Sequence, residues 1–334
     1  MQNQLKVLIT GGGGFLGSYV VDELLKKNYH VFSFSRKSYK SLEQRGVTCL
    51  VGNLNNFEDV SKAVEKVDAV IHTAALAGVW GKWEDFYTTN FLGTKNIVKA
   101  CLLHNVRNLV YTSSPSVVFN GDSIEGQGEE LPYARKHLSH YPVTKAMAEK
   151  YVLDANSDNL KTSALRPHLI WGPNDPHFMP RLLDRANSGK LKQIGDGENL
   201  VDVIFVENAA LAHVQVLEKL ITDPQKTAGK TYFIGQEKPV KLWDFVNRLI
   251  LAAGGKPVKK RIPFWLGYLI GLMMEKSYSF LRIFSKEPLL TKFLVLQLAK
   301  SHYFAHGQAI EDFDYKANVG LEEGFDRLKK HYAK

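Results

Sequence analysis

Three features of the first 170 residues predict an α/β fold built on a doubly wound parallel sheet. Short apolar runs rich in β-formers recur along the chain, amphipathic segments separate them, and a glycine-rich turn joins the first run to the first helical segment. Strands that are apolar along nearly their whole length need both faces covered, which a parallel sheet with crossover helices provides.

The runs are KVLIT (6–10), HVFSFS (30–35), VTCLVG (47–52), AVIHTA (69–74), NLVYTS (108–113) and KTSALRP (161–167). Helical spacing appears between them, in SYVVDELLKKN (18–28) and FEDVSKAVEKV (57–67). After about residue 170 the rhythm changes. WGPNDPHFMP (171–180) is a Pro-rich loop and IGDGENLVD (194–202) is turn-rich. The strand-like VIFV (203–206) and TYFIG (231–235) are expected to rejoin the sheet. Residues 171–334 then form a smaller, mainly helical lobe, with an unusually apolar stretch at 262–304.

The composition bounds the function. The chain has 334 residues, 45% apolar and 23% charged, an ordinary globular balance. Its net charge of +9 favours an anionic partner. The basic residues are nevertheless dispersed, with no Arg-rich run, so nucleic acid is not expected. Two cysteines, Cys49 and Cys101, supply neither a disulfide framework nor a metal cluster. A reducing, cytoplasmic setting without a metal fits them. The strand pattern at 5–10 leaves no room for a signal peptide. The longest apolar run, Ile262 to Met274, is shorter than the ~20 residues that span a bilayer.

The glycine turn is the first chemical signal. Thr10-Gly-Gly-Gly-Gly-Phe-Leu-Gly17 follows the first strand and opens the first helix. Gly11, Gly14 and Gly17 allow a close backbone approach, while Phe15 and Leu16 begin a helix whose free N–H groups attract phosphate. This predicts a dinucleotide-binding domain over 1–170, completed by parts of 200–235. A NAD site places an acidic residue at the end of the second strand. Here that place reads Phe34-Ser35-Arg36-Lys37, with no carboxylate to repel a 2′-phosphate. Arg36 is expected to pair with that phosphate, favouring NADP(H) over NAD(H).

Tyr141-Pro-Val-Thr-Lys145 is the second signal. A tyrosine transfers a proton near neutral pH when its pKa of ~10 is lowered, as a nearby ammonium does. Lys145 lies one helical turn beyond Tyr141, on the same side. Pro142 is tolerated in a first turn, which places Tyr141 at a helix start. The strand ending in Ser113-Ser114 lies at the carboxyl edge of the sheet, where ligands bind, and supplies a hydroxyl for the substrate oxygen.

These pieces together resemble an extended short-chain dehydrogenase/reductase over nearly the whole chain. The matches are TGGGGFLG (10–17), DAVIHTAA (68–75), TNFLGTKNIV (89–98), YTSSPSVVF (111–119), YPVTK (141–145), LRPHLIWGP (165–173) and NLVDVIFVENAA (199–210). The resemblance implies Ser114, not Ser113, as the catalytic serine and Tyr141 as the general acid/base. It implies that Lys145 binds the nicotinamide ribose and lowers the tyrosine pKa. Ala74 and Ala75 would line the cofactor, and Pro167 and His168 would lie near the nicotinamide.

Two departures stand out. The adenine edge reads Gly52-Asn53-Leu54 where the family often has Asp, leaving the Asn53 amide as acceptor beside Leu54. The usual Tyr-Gly-x-Ser-Lys is Tyr-Pro-Val-Thr-Lys, which resembles the 3β-hydroxysteroid dehydrogenase branch.

Within that branch, AGVWG (77–81), HYPVTKAMAE (140–149) and RPHLIWGPNDPHFMPRLL (166–183) are similar to two groups of enzymes. One comprises bacterial 2-alkyl-3-oxoalkanoate reductases of long-chain olefin synthesis; the other comprises sterol-4α-carboxylate 3-dehydrogenases and 3β-hydroxysteroid dehydrogenases. Either implies an apolar, long-chain or sterol-like carboxylate as substrate. His177 or Arg181 is the expected carboxylate partner, and Trp80, Trp83 and the 262–304 segment the expected apolar wall. That segment reads as core or homodimer interface, or else as a lid touching a membrane through Lys259, Lys260 and Arg261. A non-catalytic NADP-binding scaffold is the remaining alternative, which the intact Ser114, Tyr141 and Lys145 disfavour.

Overall fold

The computed structural model describes residues 4–333. Seven strands form its main sheet: β1 (Lys6–Thr10), β2 (His30–Ser35), β3 (Thr48–Val51), β4 (Ala69–His72), β5 (Asn108–Thr112), β6 (Lys161–Pro167) and β7 (Lys230–Ile234). Their order is β7-β6-β5-β4-β1-β2-β3, and every pairing is parallel. The order reverses at β1, which pairs with β2 on one side and β4 on the other. The carboxyl ends of β1 and β4 therefore flank the crevice where doubly wound folds bind ligands.

The inner strands are buried on both faces, as their apolar runs require, while β3 at the sheet edge leaves Thr48 and Val51 exposed. Val7, Leu8 and Ile9 of β1 are fully enclosed. One face is covered by the helices Phe15–Lys26 and Val206–Thr222, with Val20, Val21 and Leu24 of the first meeting Val214 and Leu217 of the second in one core. Helices Phe57–Val64, Gly93–Leu103 and His140–Asp154 cover the other face. Asn56 fixes where one of them starts, its side chain accepting the Glu58 N–H at 2.9 Å.

Of the two later runs expected in the sheet, only TYFIG enters it, as β7. Ile204–Phe205 instead makes a short parallel pair with Ile170–Trp171. The reason is competition for one edge: β7 already pairs with β6 from Lys230↔Ser163 to Ile234↔Pro167. The chain turns helical at Val206 straight after this pair.

The second lobe packs around Trp171, whose ring lies 5.0 Å from Phe205, 5.3 Å from Phe245 and 4.8 Å from Phe325. A small sheet ties this lobe to the first. In it His302–Phe304 pairs with Ile124–Gln127 and touches Leu200–Val201.

The apolar 262–304 stretch divides into two helices with different surroundings. Helix Lys292–Ala299 is core, burying Phe293, Val295 and Leu296. Helix Phe264–Phe280 is buried only at Gly267, which faces Ile194 and Ile262, and at Gly271, which lies on the backbone at Thr291. Trp265, Leu269, Met273 and Phe280 are left 65%, 45%, 59% and 87% exposed. Among the described residues no helix is long and apolar enough to cross a membrane.

Candidate active site

The glycine turn forms a cradle at the end of β1. Gly11 adopts φ 73°, a conformation costly for any residue with a Cβ. A Cβ on Gly17 would lie 2.1 Å from the Gly11 carbonyl oxygen, so only glycine lets the helix sit directly on the turn. Gly14 caps that helix without any side-chain bond. The first-turn N–H groups, those of Phe15 and Leu16 included, are thus without helical acceptors. Ala74 closes the other wall, its N–H donating to Thr10 Oγ1 at 3.1 Å, and Ala75 beside it is exposed. Open N–H groups at a helix start fit a dinucleotide pyrophosphate.

Farther along the sheet edge, Arg36 and Lys37 are exposed just past β2, and neither is paired with a carboxylate among the described residues. Lys37 Nζ lies 5.2 Å over the Tyr39 ring. That ring covers Gly13, where a Cβ would come within 2.2 Å of it. Tyr39 as a wall of the cradle was not read from the sequence, because nothing local marks it. The Asn53 side-chain carbonyl accepts from Asn55 N–H at 3.0 Å, a bond within its own loop that leaves one lone pair for a ligand. Leu54 packs beside Gly93 and accepts the Asn96 side-chain amide at 2.8 Å through its backbone carbonyl.

The proton-transfer candidates gather at the ends of β5 and β6. Ser113 is turned inward, its hydroxyl buried with no partner among the described residues. Ser114 instead faces the cavity, its Oγ 2.9 Å from Ser116 Oγ. Helix His140–Asp154 puts Tyr141 in its first turn, with Pro142 next. Lys145 is 2% exposed and donates to the Thr112 carbonyl. Burial lowers Lys145 to about 7, opposed by Glu149 one turn on.

Tyr141 departs from the expected direction. Burial raises its pKa, and the Ser114 hydroxyl beside it pulls the other way. Lys145 does not lower it in this arrangement, because its ammonium is directed to Thr112 and the Tyr111 ring.

Ser114, Tyr141, Pro167 and His168 line one cavity of about 220 Å³. Its apolar wall comes from Val79, Phe119, Leu169, Phe293 and Phe304. Gln297 and His302 complete the polar side. The four residues expected to contact substrate do not line it. Trp80 bonds through Nε1 to the Ile283 carbonyl at 2.9 Å and stacks on Phe284, latching the loop after helix Phe264–Phe280. Trp83 stacks on Tyr87 and meets His140 edge-on. His177 precedes helix Phe178–Asn187, and Arg181 on that helix pairs with Glu287 at the surface.

Two supports were not singled out from the sequence. Asn90, buried in the π-helical turn Tyr87–Leu92, binds both backbone groups of Leu76, at 2.7 and 3.0 Å, and donates to Thr144 Oγ1 at 3.1 Å. It joins the loop after β4 to the tyrosine helix. Glu149 and Arg166 make a two-pronged buried pair, at 2.6 and 2.9 Å, between that helix and β6. All three stand inside quoted matches, Asn90 in TNFLGT, Arg166 in LRPHLIWGP and Glu149 in HYPVTKAMAE, but only the fold shows that they pair across elements.

Comparison with known proteins identifies the family. The 3-beta hydroxysteroid dehydrogenase/isomerase family matches residues 8–266. The chain is 43% identical over 328 residues to a 2-alkyl-3-oxoalkanoate reductase from Shewanella oneidensis, covering 96% of this chain and 84% of that one. It is 35% identical over 331 residues to a mouse (Mus musculus) sterol-4-alpha-carboxylate 3-dehydrogenase, decarboxylating, covering 98% and 91%. A solved UDP-glucuronic acid 4-epimerase from Bacillus cereus, in complex with NAD, shares the fold at TM-score 0.74 and 23% identity, over 98% of this chain and 100% of that one. The seven-stranded sheet, the match to the family and the two long relatives lead to one conclusion: the chain is an oxidoreductase belonging to the 3-beta hydroxysteroid dehydrogenase/isomerase family, within the extended short-chain dehydrogenases/reductases.

Proposed function

We propose that this enzyme reduces the keto group of a long-chain 2-alkyl-3-oxoalkanoate to the 2-alkyl-3-hydroxyalkanoate, using NADPH. One observation carries the reading: Tyr141 and Ser114 share a cavity whose remaining wall is largely apolar. The likeness to the Shewanella reductase supports the choice of substrate.

The nicotinamide cofactor supplies the hydride for the 3-keto carbon. Tyr141 gives its phenolic proton to the carbonyl oxygen, and burial keeps that proton in place until it is needed. Ser114 donates a hydrogen bond to the same oxygen. Lys145 is taken to hold the cofactor ribose, and it stabilises the phenolate left behind only once its ammonium turns from the Thr112 carbonyl. Arg36 and Lys37, free of carboxylates at the end of β2, support NADPH over NADH.

We take the exposed face of helix Phe264–Phe280 to rest on an anionic lipid surface that holds the substrate. The apolar side chains are flanked by exposed Lys259, Lys260 and Arg261 before the helix and Arg282 and Lys286 after it. Apolar area flanked by cations suits such a surface.

Oxidation of the 3-hydroxy group of a sterol carboxylate is the second reading, supported by the mouse relative. The two separate in one assay. A long-chain 2-alkyl-3-hydroxyalkanoate is offered with NADP and then NAD, beside a 3β-hydroxysteroid control. Oxidation of the hydroxy acid with NADP is expected. Oxidation of the steroid alone, or with NAD only, moves the enzyme to the sterol reading.

A further inference from the structure

The cavity that holds Tyr141 and Ser114 has no lysine or arginine in its lining. Among the described residues, an anionic substrate there meets two lining side chains able to take up positive charge, His168 and His302. They come from distant parts of the chain. His168 follows β6 and is 9% exposed; His302 opens the strand His302–Phe304 and is 2% exposed. Their rings lie nearly parallel, 9° apart, and His168 Nε2 is 2.7 Å from His302 Nδ1.

The hydrogen bonds dictate the tautomers. His302 Nε2 is 2.8 Å from the Gln297 carbonyl, which only accepts, so Nε2 carries the proton. His302 Nδ1 is then bare and accepts from His168 Nε2–H. His168 Nδ1 is left bare, with no partner among the described residues. Leu169, next in the chain, is held at φ 45°, a conformation unusual for leucine that fixes the backbone beside the imidazole.

We propose that His168, positioned by His302, is the carboxylate-recognition group of the cavity: it binds the substrate carboxylate through Nδ1–H, taking up one proton as the anion enters. This rests on the proposed β-oxo acid reading. It replaces His177 and Arg181, which lie off the cavity.

The surroundings suit a pair that is neutral when empty and charged when filled. Burial holds both imidazoles below the usual histidine range, and His302 further disfavours charge on His168. The facing groups are few. Tyr141 is a neutral phenol. The Asp202 carboxylate favours charge on His302, and is itself engaged by Phe304 N–H at 2.8 Å and His306 Nε2 at 3.1 Å. His306 disfavours charge on His168. Arg166, two residues before His168, is neutralised by Glu149. A bound carboxylate tips this balance toward imidazolium.

The test compares a long-chain 2-alkyl-3-hydroxyalkanoate with its methyl ester, with NADP, across pH 6–9. Wild type is expected to favour the acid at least about tenfold in kcat/KM at pH 6. Its acid KM should rise with pH, approaching about tenfold per unit, because each binding event takes up a proton. The ester KM should not follow. His168→Gln and His302→Gln should each collapse the acid-over-ester ratio and flatten the acid KM profile, with NADPH binding checked in both as evidence of folding. Calorimetric titration of the acid into the NADPH complex, in buffers of different ionisation enthalpy, should read proton uptake in wild type and none in the variants. If acid and ester are both oxidised and the variants keep the wild-type ratio, the histidine assignment falls while the reductase reading stands. If the variants lose only NADPH affinity, the assignment likewise falls. Oxidation of steroid but of neither the acid nor the ester overturns both.

Discussion

The ammonium of Lys145 lies 4.2 Å from the centroid of the Tyr111 ring. It also donates to the Thr112 carbonyl, so the lysine is bound to β5 and not to the tyrosine one turn before it. Such a buried cation is costly, and burial drives its pKa from 10.5 to about 7. Between these values the unfolded chain holds the proton that the folded chain has released. Stability therefore rises with pH through that window, by up to about 1.4 kcal/mol per unit for one proton. Lys145→Met removes this contribution. Thermal unfolding from pH 7.5 to 9.5 should show a rise in Tm about 2 °C per unit larger in wild type than in the variant. Parallel curves would place the ammonium in a better-solvated setting.

Cofactor choice turns on the end of β2. Arg36 is exposed there, with no carboxylate paired to it among the described residues. Arg36→Ala should lower the NADPH-to-NADH ratio of kcat/KM by about tenfold or more, the worth of a charge-assisted hydrogen bond. An unchanged ratio in steady-state kinetics removes Arg36 from the account and turns attention to Lys37.

Asn90 spans two parts of the site. Asn90→Ala leaves the Leu76 N–H and carbonyl and the Thr144 hydroxyl without its amide. The loss should be about 1–3 kcal/mol, seen as a Tm lower by about 1–4 °C. Because the loop carrying Ala74 and Ala75 loses its tie to the tyrosine helix, the cofactor KM should rise as well. A stability loss with unchanged cofactor kinetics would make Asn90 structural only.

Much of the fold follows from patterns within single segments. Six strands, the turn between β1 and its helix, and Pro142 beside Tyr141 all sit where local sequence puts them. Gly17 is legible for the same reason, since it answers to Gly11 and Gly12 close in the chain, and Gly11 because its turn takes a positive φ. What depended on partners far away was not legible. Ile204–Phe205 lost its place in the main sheet because β7 took that edge. His302 reaches the cavity through the small sheet, 134 residues from His168. Trp80 reads as a substrate contact on composition, yet its indole N–H is taken by Ile283. The pKa of Tyr141 went against expectation because burial raises it while the Lys145 ammonium is directed to Thr112, and both are packing outcomes.

The helix Phe264–Phe280 provides a further test. Trp265→Ser with Phe280→Ser should abolish co-sedimentation with anionic phospholipid vesicles, and wild-type binding should weaken in high salt. Light scattering on the same proteins checks the competing use of this face. A wild-type dimer that the double variant converts to monomer, without vesicle binding, would make it a subunit interface.

Tyr141 carries the central claim. NADP-dependent oxidation of a long-chain 2-alkyl-3-hydroxyalkanoate, measured side by side for wild type and Tyr141→Phe, tests it most directly. The account predicts a fall in kcat of about 100- to 10,000-fold, the usual worth of a positioned proton-transfer group, with NADPH still bound. Wild-type turnover by Tyr141→Phe would contradict it.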